Sequence, residues 1–203
     1  MFKIKLRTLE IKLEGLKGFE NPNAFLEQYK TPAVVASRFL YNAALKGDIE
    51  GMRVFDPGCG TGVLSCGAAL LGAEYVFGID IDKKAIEAAE KNAEKLGVCV
   101  DFLVSDINSF ECIKKFDTVI MNPPFGAQNV HADRPFIDLA LRCGDVVYGI
   151  FNRRSTGFIK EYIKGKAEIT DIFACDLPMK HTFAHHTKEC VDIRVEIVRM
   201  VKI

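Results

Sequence analysis

The chain has 203 residues, 49% of them hydrophobic and 27% charged, which bounds it to one domain, or one domain with a modest extension, able to bury a core without disulfide or metal staples. Lys+Arg and Asp+Glu number 27 each, so global charge offers no case for nucleic-acid binding, and any such surface is a local patch. Seven cysteines, an odd number with no C-x-x-C pair, argue against a zinc cluster and for a reducing, cytoplasmic setting.

Residues 1–13 alternate charged and apolar side chains, unlike a signal peptide, and no apolar run is long enough to span a membrane. The spacing of Leu6, Leu9 and Leu13 predicts a short helix over 3–11. Residues 18–30 read as loop, with Asn21-Pro22-Asn23 as turn and cap. A helix follows Pro32, with Val34, Val35, Phe39, Leu40 and Leu45 on one face. From there the pattern alternates. Strands are predicted at 52–56, 75–80, 100–104, 116–121, 146–151, 169–175 and 190–202, with helices at 63–71, 83–96, 133–142 and 155–165. Alternation of this kind builds a doubly wound, mostly parallel α/β sheet of seven strands. The last two strands are joined without a clear crossover helix, so they form an antiparallel edge. In the final strand, Val191, Ile193, Val195 and Ile197 alternate with polar residues, which reads as half-buried.

Asp56-Pro57-Gly58-Cys59-Gly60-Thr61-Gly62 ends the first strand and opens a helix at Val63. Glycines at 58, 60 and 62 allow a tight turn and close approach of backbone to a ligand. Asp80 closes the next strand, where a carboxylate accepts hydrogen bonds from ribose hydroxyls. The loop holds no Lys or Arg, which disfavours a triphosphate and favours a nucleoside such as S-adenosylmethionine, with Asp56 toward its sulfonium and ammonium end. Asp106 and Ile107, after the third strand, are placed to meet the adenine amine and ring. The competing reading is an ordinary strand–helix turn, with Asp106 as a cap.

Asn122-Pro123-Pro124-Phe125 follows the fourth strand, so it sits at the carboxyl edge of the sheet, beside the cofactor crevice. An aromatic exocyclic amine is a poor nucleophile because its lone pair is delocalised. Two acceptors, the Asn122 side-chain oxygen and the Pro123 carbonyl, can hold both N–H groups and aim the lone pair at a methyl donor. Pro123 and Pro124 fix the backbone, and Phe125 offers a stacking face for a flipped base. A rigid turn with a buried Phe is the bland alternative.

These segments, with Gln28-Tyr29-Lys30-Thr31-Pro32 upstream and Asp176-Leu177-Pro178 and Val191-Asp192-Ile193 near the end, make the chain resemble the methyltransferase-like adenine-N6 methylases of small-subunit ribosomal RNA. The resemblance spans about residues 6–200. It implies a class I, Rossmann-like methyltransferase unit at 51–203, with residues 1–50 as a helical extension covering the cofactor, the whole forming one compact body. It implies S-adenosylmethionine contacts at Gln28, Thr31, Gly58, Thr61, Val63, Asp80, Asp106 and Ile107, catalysis at Asn122 to Phe125, and a small zinc-binding activator protein that pairs along a strand edge. Residues 127–133 depart from the family's lysine-rich stretch.

RNA phosphates are expected to meet two basic segments. One holds Arg153, Arg154, Lys160, Lys164 and Lys166; the other holds Lys180, His181, His185, His186 and Lys188. A solvated helix face and a surface loop are the alternatives, and a metal at the three histidines is disfavoured by the lack of regularly spaced Cys or carboxylate. Other functions remain open. A protein-glutamine or DNA-adenine methylase would usually carry a further substrate domain, and a non-catalytic ribosome-assembly scaffold would have no use for an intact Asn122 to Phe125.

Overall fold

The computed structural model describes residues 4–126, 131–179 and 191–203. In chain order the elements are α1 (Leu6–Glu14), α2 (Ala33–Leu45), β1 (Arg53–Pro57), α3 (Val63–Leu70), β2 (Tyr75–Asp80), α4 (Lys83–Leu96), β3 (Asp101–Val104), β4 (Phe116–Met121), α5 (Arg134–Cys143), β5 (Gly144–Asn152), α6 (Thr156–Tyr162), β6 (Ala167–Met179) and β7 (Val191–Lys202). Among the described residues they form one seven-stranded sheet in the order β3-β2-β1-β4-β5-β7-β6. The β1–β2, β1–β4, β2–β3 and β4–β5 pairs are parallel. The expected antiparallel edge is the β6–β7 pair, in which β7 runs against both β5 and β6, and β6 lies outermost. The two terminal segments of the family pattern meet there, since Leu177 pairs with Ile193 and Pro178 with Asp192.

One apolar cluster joins Leu9 and Leu13 of α1, Val35, Phe39 and Leu40 of α2, Val54 of β1 and Leu64 of α3. A second gathers Phe55, Val119, Ile137, Val147 and Met200 on the other face of the sheet. The Gly67 position in α3 needs hydrogen alone, since a Cβ there would sit 2.3 Å from Leu40 Cδ1. Sequence signals explain the sharpest boundaries. Asp82 caps α4 by accepting the Lys84 N–H, and Gly97 ends it in the left-handed region that a Cβ disfavours.

Four local expectations are corrected. The first helix starts at Leu6 rather than residue 3 and runs on to Glu14, because its buried side chains are Leu9 and Leu13. In α2, Leu45 is 66% exposed, and the buried stripe runs through Ala36, Phe39, Leu40 and Ala43 instead. The predicted helix at 155–165 is a 3-10 turn, Arg153–Ser155, followed by α6, which ends at Tyr162. Strand β7 is not half-buried: Val195 and Ile197 on one face join the first core cluster, and Val198 and Met200 on the other join the second.

Candidate active site

A cavity of about 350 Å³ opens at the carboxyl ends of β1, β2 and β4, within the range of roughly 300–1,000 Å³ usual for small-molecule sites. The glycine loop forms its floor. Gly58, Gly60 and Gly62 have φ of 72°, 53° and 77°, so each occupies the left-handed region. A Cβ on Gly58 would lie 2.6 Å from Phe136 Cε1, and one on Gly60 would lie 2.9 Å from Phe19 Cζ. The expectation that this turn demands glycine is thus met by both torsion and space. Thr61 is buried, and its carbonyl accepts the Asn92 Nδ2–H at 2.9 Å, which ties the loop to α4.

Asp80 faces the loop. Its Oδ2 accepts the Gly60 N–H at 2.8 Å and its Oδ1 the Asp82 N–H at 2.9 Å. Burial raises its pKa against the help of these donors. Asp56 is more deeply placed, 1% exposed, and its Oδ2 accepts both the Ser65 N–H at 3.1 Å and the Ser65 hydroxyl at 2.5 Å. Burial pushes its carboxyl up to about 7. Asp106 and Ile107 line the cavity. Asp106 Oδ1 accepts from the Asn108 backbone and side chain, both at 2.9 Å, so that oxygen does the turn-capping work of the bland alternative.

The segment before α2 closes the cavity from above and is pinned at five points. Gln28, buried, donates from Nε2 to Asp82 Oδ2 at 2.8 Å and accepts the Asn23 N–H at Oε1, also at 2.8 Å. Lys30 Nζ donates to the Leu16 and Glu14 carbonyls. The other three points reach the Asn122-Pro123-Pro124-Phe125 turn. Asn122 Nδ2 donates to Thr31 Oγ1 at 3.0 Å, and the Tyr29 hydroxyl donates to Asn122 Oδ1 at 3.3 Å. The Tyr29 and Phe125 rings are 5.7 Å apart and tilted by 52°. Glu27, at φ 50°, accepts the Phe125 N–H at 2.7 Å. Asn122 and Pro124 line the cavity with the glycine loop, while Pro123 is buried and Phe125 packs on the first core cluster.

The fold therefore brings Gln28, Thr31, Asp56, Gly58, Gly60, Thr61, Val63, Asp80, Asp106, Ile107, Asn122 and Pro124 to one cavity. Gly62 starts α3 behind it, with Ala89 and Phe102 against its Cα. Sequence reasoning missed Glu27, Tyr29, Ser65 and Phe19. Tyr29 was inside a segment already singled out, but an aromatic residue in irregular chain carries no periodic signal.

The basic segments fare differently. Arg153 Nε lies 3.7 Å from Glu196 Oε1, Lys164 Nζ 3.7 Å from Glu161 and Lys166 Nζ 3.2 Å from Asp138, while Lys160 is exposed. The side chain of Arg154, and the whole of Lys180, His181, His185, His186 and Lys188, lie outside the described residues. Among the described residues no helix is long and apolar enough to cross a membrane.

Residues 48–186 match the family model described as a methyltransferase domain. The rRNA N6-adenosine-methyltransferase METTL5 of Danio rerio is 38% identical over 205 residues, covering 97% of this chain and 98% of its own. Its Drosophila melanogaster namesake is 33% identical, covering 98% and 97%. The crystal structure of a candidate RNA methyltransferase from Pyrococcus horikoshii superposes with a TM-score of 0.90 at 39% identity, covering 98% of both chains. With its doubly wound sheet, its glycine loop and an Asn-Pro-Pro-Phe turn opening on the same cavity, the chain belongs to the METTL5 family of rRNA N6-adenosine methyltransferases.

Proposed function

We propose that this protein methylates the exocyclic N6 of an adenine in ribosomal RNA, using S-adenosylmethionine. The observation that carries the reading is the convergence of the Asn122 amide and the glycine loop on one cavity, with Tyr29 and Thr31 holding the amide from the cofactor-covering segment. The residues fit the cofactor. Asp80 meets the ribose hydroxyls, and Asp106 with Ile107 meets the adenine. The backbone of Gly58, Gly60, Thr61, Gly62 and Val63 forms the cradle for the nucleoside, and a Cβ on either of the first two glycines would collide with Phe136 or Phe19, which line the same cavity. Asp56 faces the positive end, and Gln28 and Thr31 hold the covering segment over it. S-adenosylmethionine supplies an electrophilic methyl group when bound.

The chain's own residues prepare the acceptor. Asn122 Oδ1 and the Pro123 carbonyl accept the two N6 hydrogens, which biases the nitrogen toward tetrahedral geometry and frees its lone pair. Phe125 stacks on the flipped base, and Pro124 keeps the turn rigid. Methylation would exchange the cofactor's sulfur–methyl bond for one to N6, the electron pair staying on sulfur, and the amine then loses one proton to water, so no strong base is required.

A small zinc-binding activator protein pairs along the free edge of β3. Leu103 is 46% exposed there and Val104 45%, apolar side chains on a free strand edge that a partner would shield. A cytoplasmic setting belongs to the same proposal, supported by buried free thiols at Cys59, Cys66, Cys143 and Cys175. Nucleoside mass spectrometry of rRNA from cells lacking this gene tests the reading. Loss of an N6-methyladenosine, restored by wild type and not by Asn122→Ala, is expected; an unchanged nucleoside profile would overturn it.

A further inference from the structure

Beyond the cavity, the connection after β4 and the connection after β5 meet through side chains that the proposed methyl transfer does not use. His131 stands just ahead of α5, exposed, with its imidazole stacked on Phe158 of α6 at 5.9 Å between centroids and 25° between planes. The Arg134 guanidinium also lies over the Phe158 ring at 4.8 Å and over the Tyr162 ring at 5.4 Å. Among the described residues Arg134 Nε is buried without a hydrogen-bond partner. The result is a stack of imidazole, phenyl and guanidinium groups in which the imidazole is exposed.

Two features set this stack apart from ordinary helix packing. His131 has φ 70°, a left-handed conformation that is uncommon outside Gly, Asn, Asp and His. Its carbonyl accepts the Arg134 N–H at 3.1 Å, a bond that glycine or asparagine would make equally well. The turn is thus occupied by a residue whose ring is stacked on Phe158 and exposed rather than buried. The second feature is position. Ala132, Pro135 and Phe136, the immediate neighbours, form part of the cavity wall beside Asn122 and Pro124. The stack therefore lies on the lip through which a flipped base would pass. Acidic groups nearby, Asp133 and Asp138, exclude a general phosphate patch and favour a contact made by a base.

We infer that His131, backed by Phe158 and Arg134, is a stacking platform for the nucleotide next to the target adenine in single-stranded RNA. This rests on the RNA reading above and adds to it a second base-binding position. A base leaving the stack beside a flipped neighbour loses one of its own partners, and an open imidazole face replaces it.

The test uses the full chain and a fluorescently labelled single-stranded RNA with one central adenine, against the same RNA with abasic sites on both sides of that adenine. His131→Gly and His131→Asn both tolerate the left-handed backbone but lack an aromatic face. They are expected to melt at or above the wild-type Tm, to bind S-adenosylmethionine unchanged, and to bind the intact RNA about tenfold more weakly. The abasic RNA should bind wild type and both variants alike. Equal affinity of wild type and variants for intact RNA would overturn the platform while leaving the RNA reading in place. A variant loss that persists on abasic RNA would also overturn it, since the contact would then be to the backbone. Wild type that binds no RNA would sink both.

Discussion

Asn122 donates its side-chain N–H to Thr31 Oγ1 at 3.0 Å, across 91 residues of sequence. The bond joins the Asn122-Pro123-Pro124-Phe125 turn to the segment that closes the cavity. With Tyr29 donating to the amide oxygen at 3.3 Å, the amide is held at both ends. An amide left to rotate could present N–H where an acceptor is needed, which is the wrong partner for an amine.

Tyr29→Phe should therefore lower kcat about 5- to 10-fold, the worth of one hydrogen bond of roughly 1 kcal/mol, with the affinity for S-adenosylmethionine within about twofold of wild type. Steady-state kinetics with calorimetric cofactor titration checks this.

Gly60→Ala should be costly twice. It forces a Cβ into the left-handed region at φ 53° and places it 2.9 Å from Phe19 Cζ. A loss of about 1–3 kcal/mol in stability is expected, with cofactor binding weakened beyond what that loss explains. Urea denaturation and calorimetry report the two effects separately.

Asp56 gives the protein a pH signature. Burial raises its folded-state pKa to about 7, well above the ordinary Asp value, so the folded chain binds a proton that the unfolded chain releases. The resulting stability is fully present below about pH 4 and is lost as pH rises through 7, an effect of up to about 4 kcal/mol. Asp56→Asn, whose amide oxygen can still accept from Ser65, should flatten this slope in urea midpoints between pH 5 and 8. A cationic ligand favours the ionised carboxyl, so wild-type affinity for S-adenosylmethionine should climb with pH across the same window, and the variant's should not.

At the amino end of the sheet, Asp48 accepts from the Tyr148 hydroxyl at 2.5 Å and from Arg199 Nε at 2.8 Å, while Arg199 Nη1 reaches Thr170 at 2.8 Å. Asp48→Ala leaves a mostly buried guanidinium and phenol without this partner, so a loss of about 3–5 kcal/mol is expected. Because the network lies at the end of the sheet opposite the cavity, activity per folded molecule should hold. Denaturation midpoints and specific activity at low temperature check both halves.

How far the sequence carried these conclusions varied with the physics. β2, β4 and α4 fall on their predicted bounds, because Asp82, Gly97 and the apolar runs speak locally. Strand β7 looked half-buried because its second buried face depends on the cluster that Val198 and Met200 join, a nonlocal fact. The glycine loop, Asp80 and Asn122 were legible because torsion and chemistry restrict the residue types there. The side-chain partners of Gln28 and Asp106 were not, since Asp82 and Asn108 engage them only in three dimensions or within an irregular turn. Tyr29 and Glu27 were invisible for the same reason.

The central claim is methyl transfer to an rRNA adenine N6 through Asn122. Purified protein, with and without a candidate zinc-binding activator, incubated with rRNA and methyl-labelled S-adenosylmethionine, should place label in N6-methyladenosine after digestion to nucleosides, and Asn122→Ala should abolish it. Label in protein glutamine, in DNA adenine, or in no nucleoside under either condition would contradict the account.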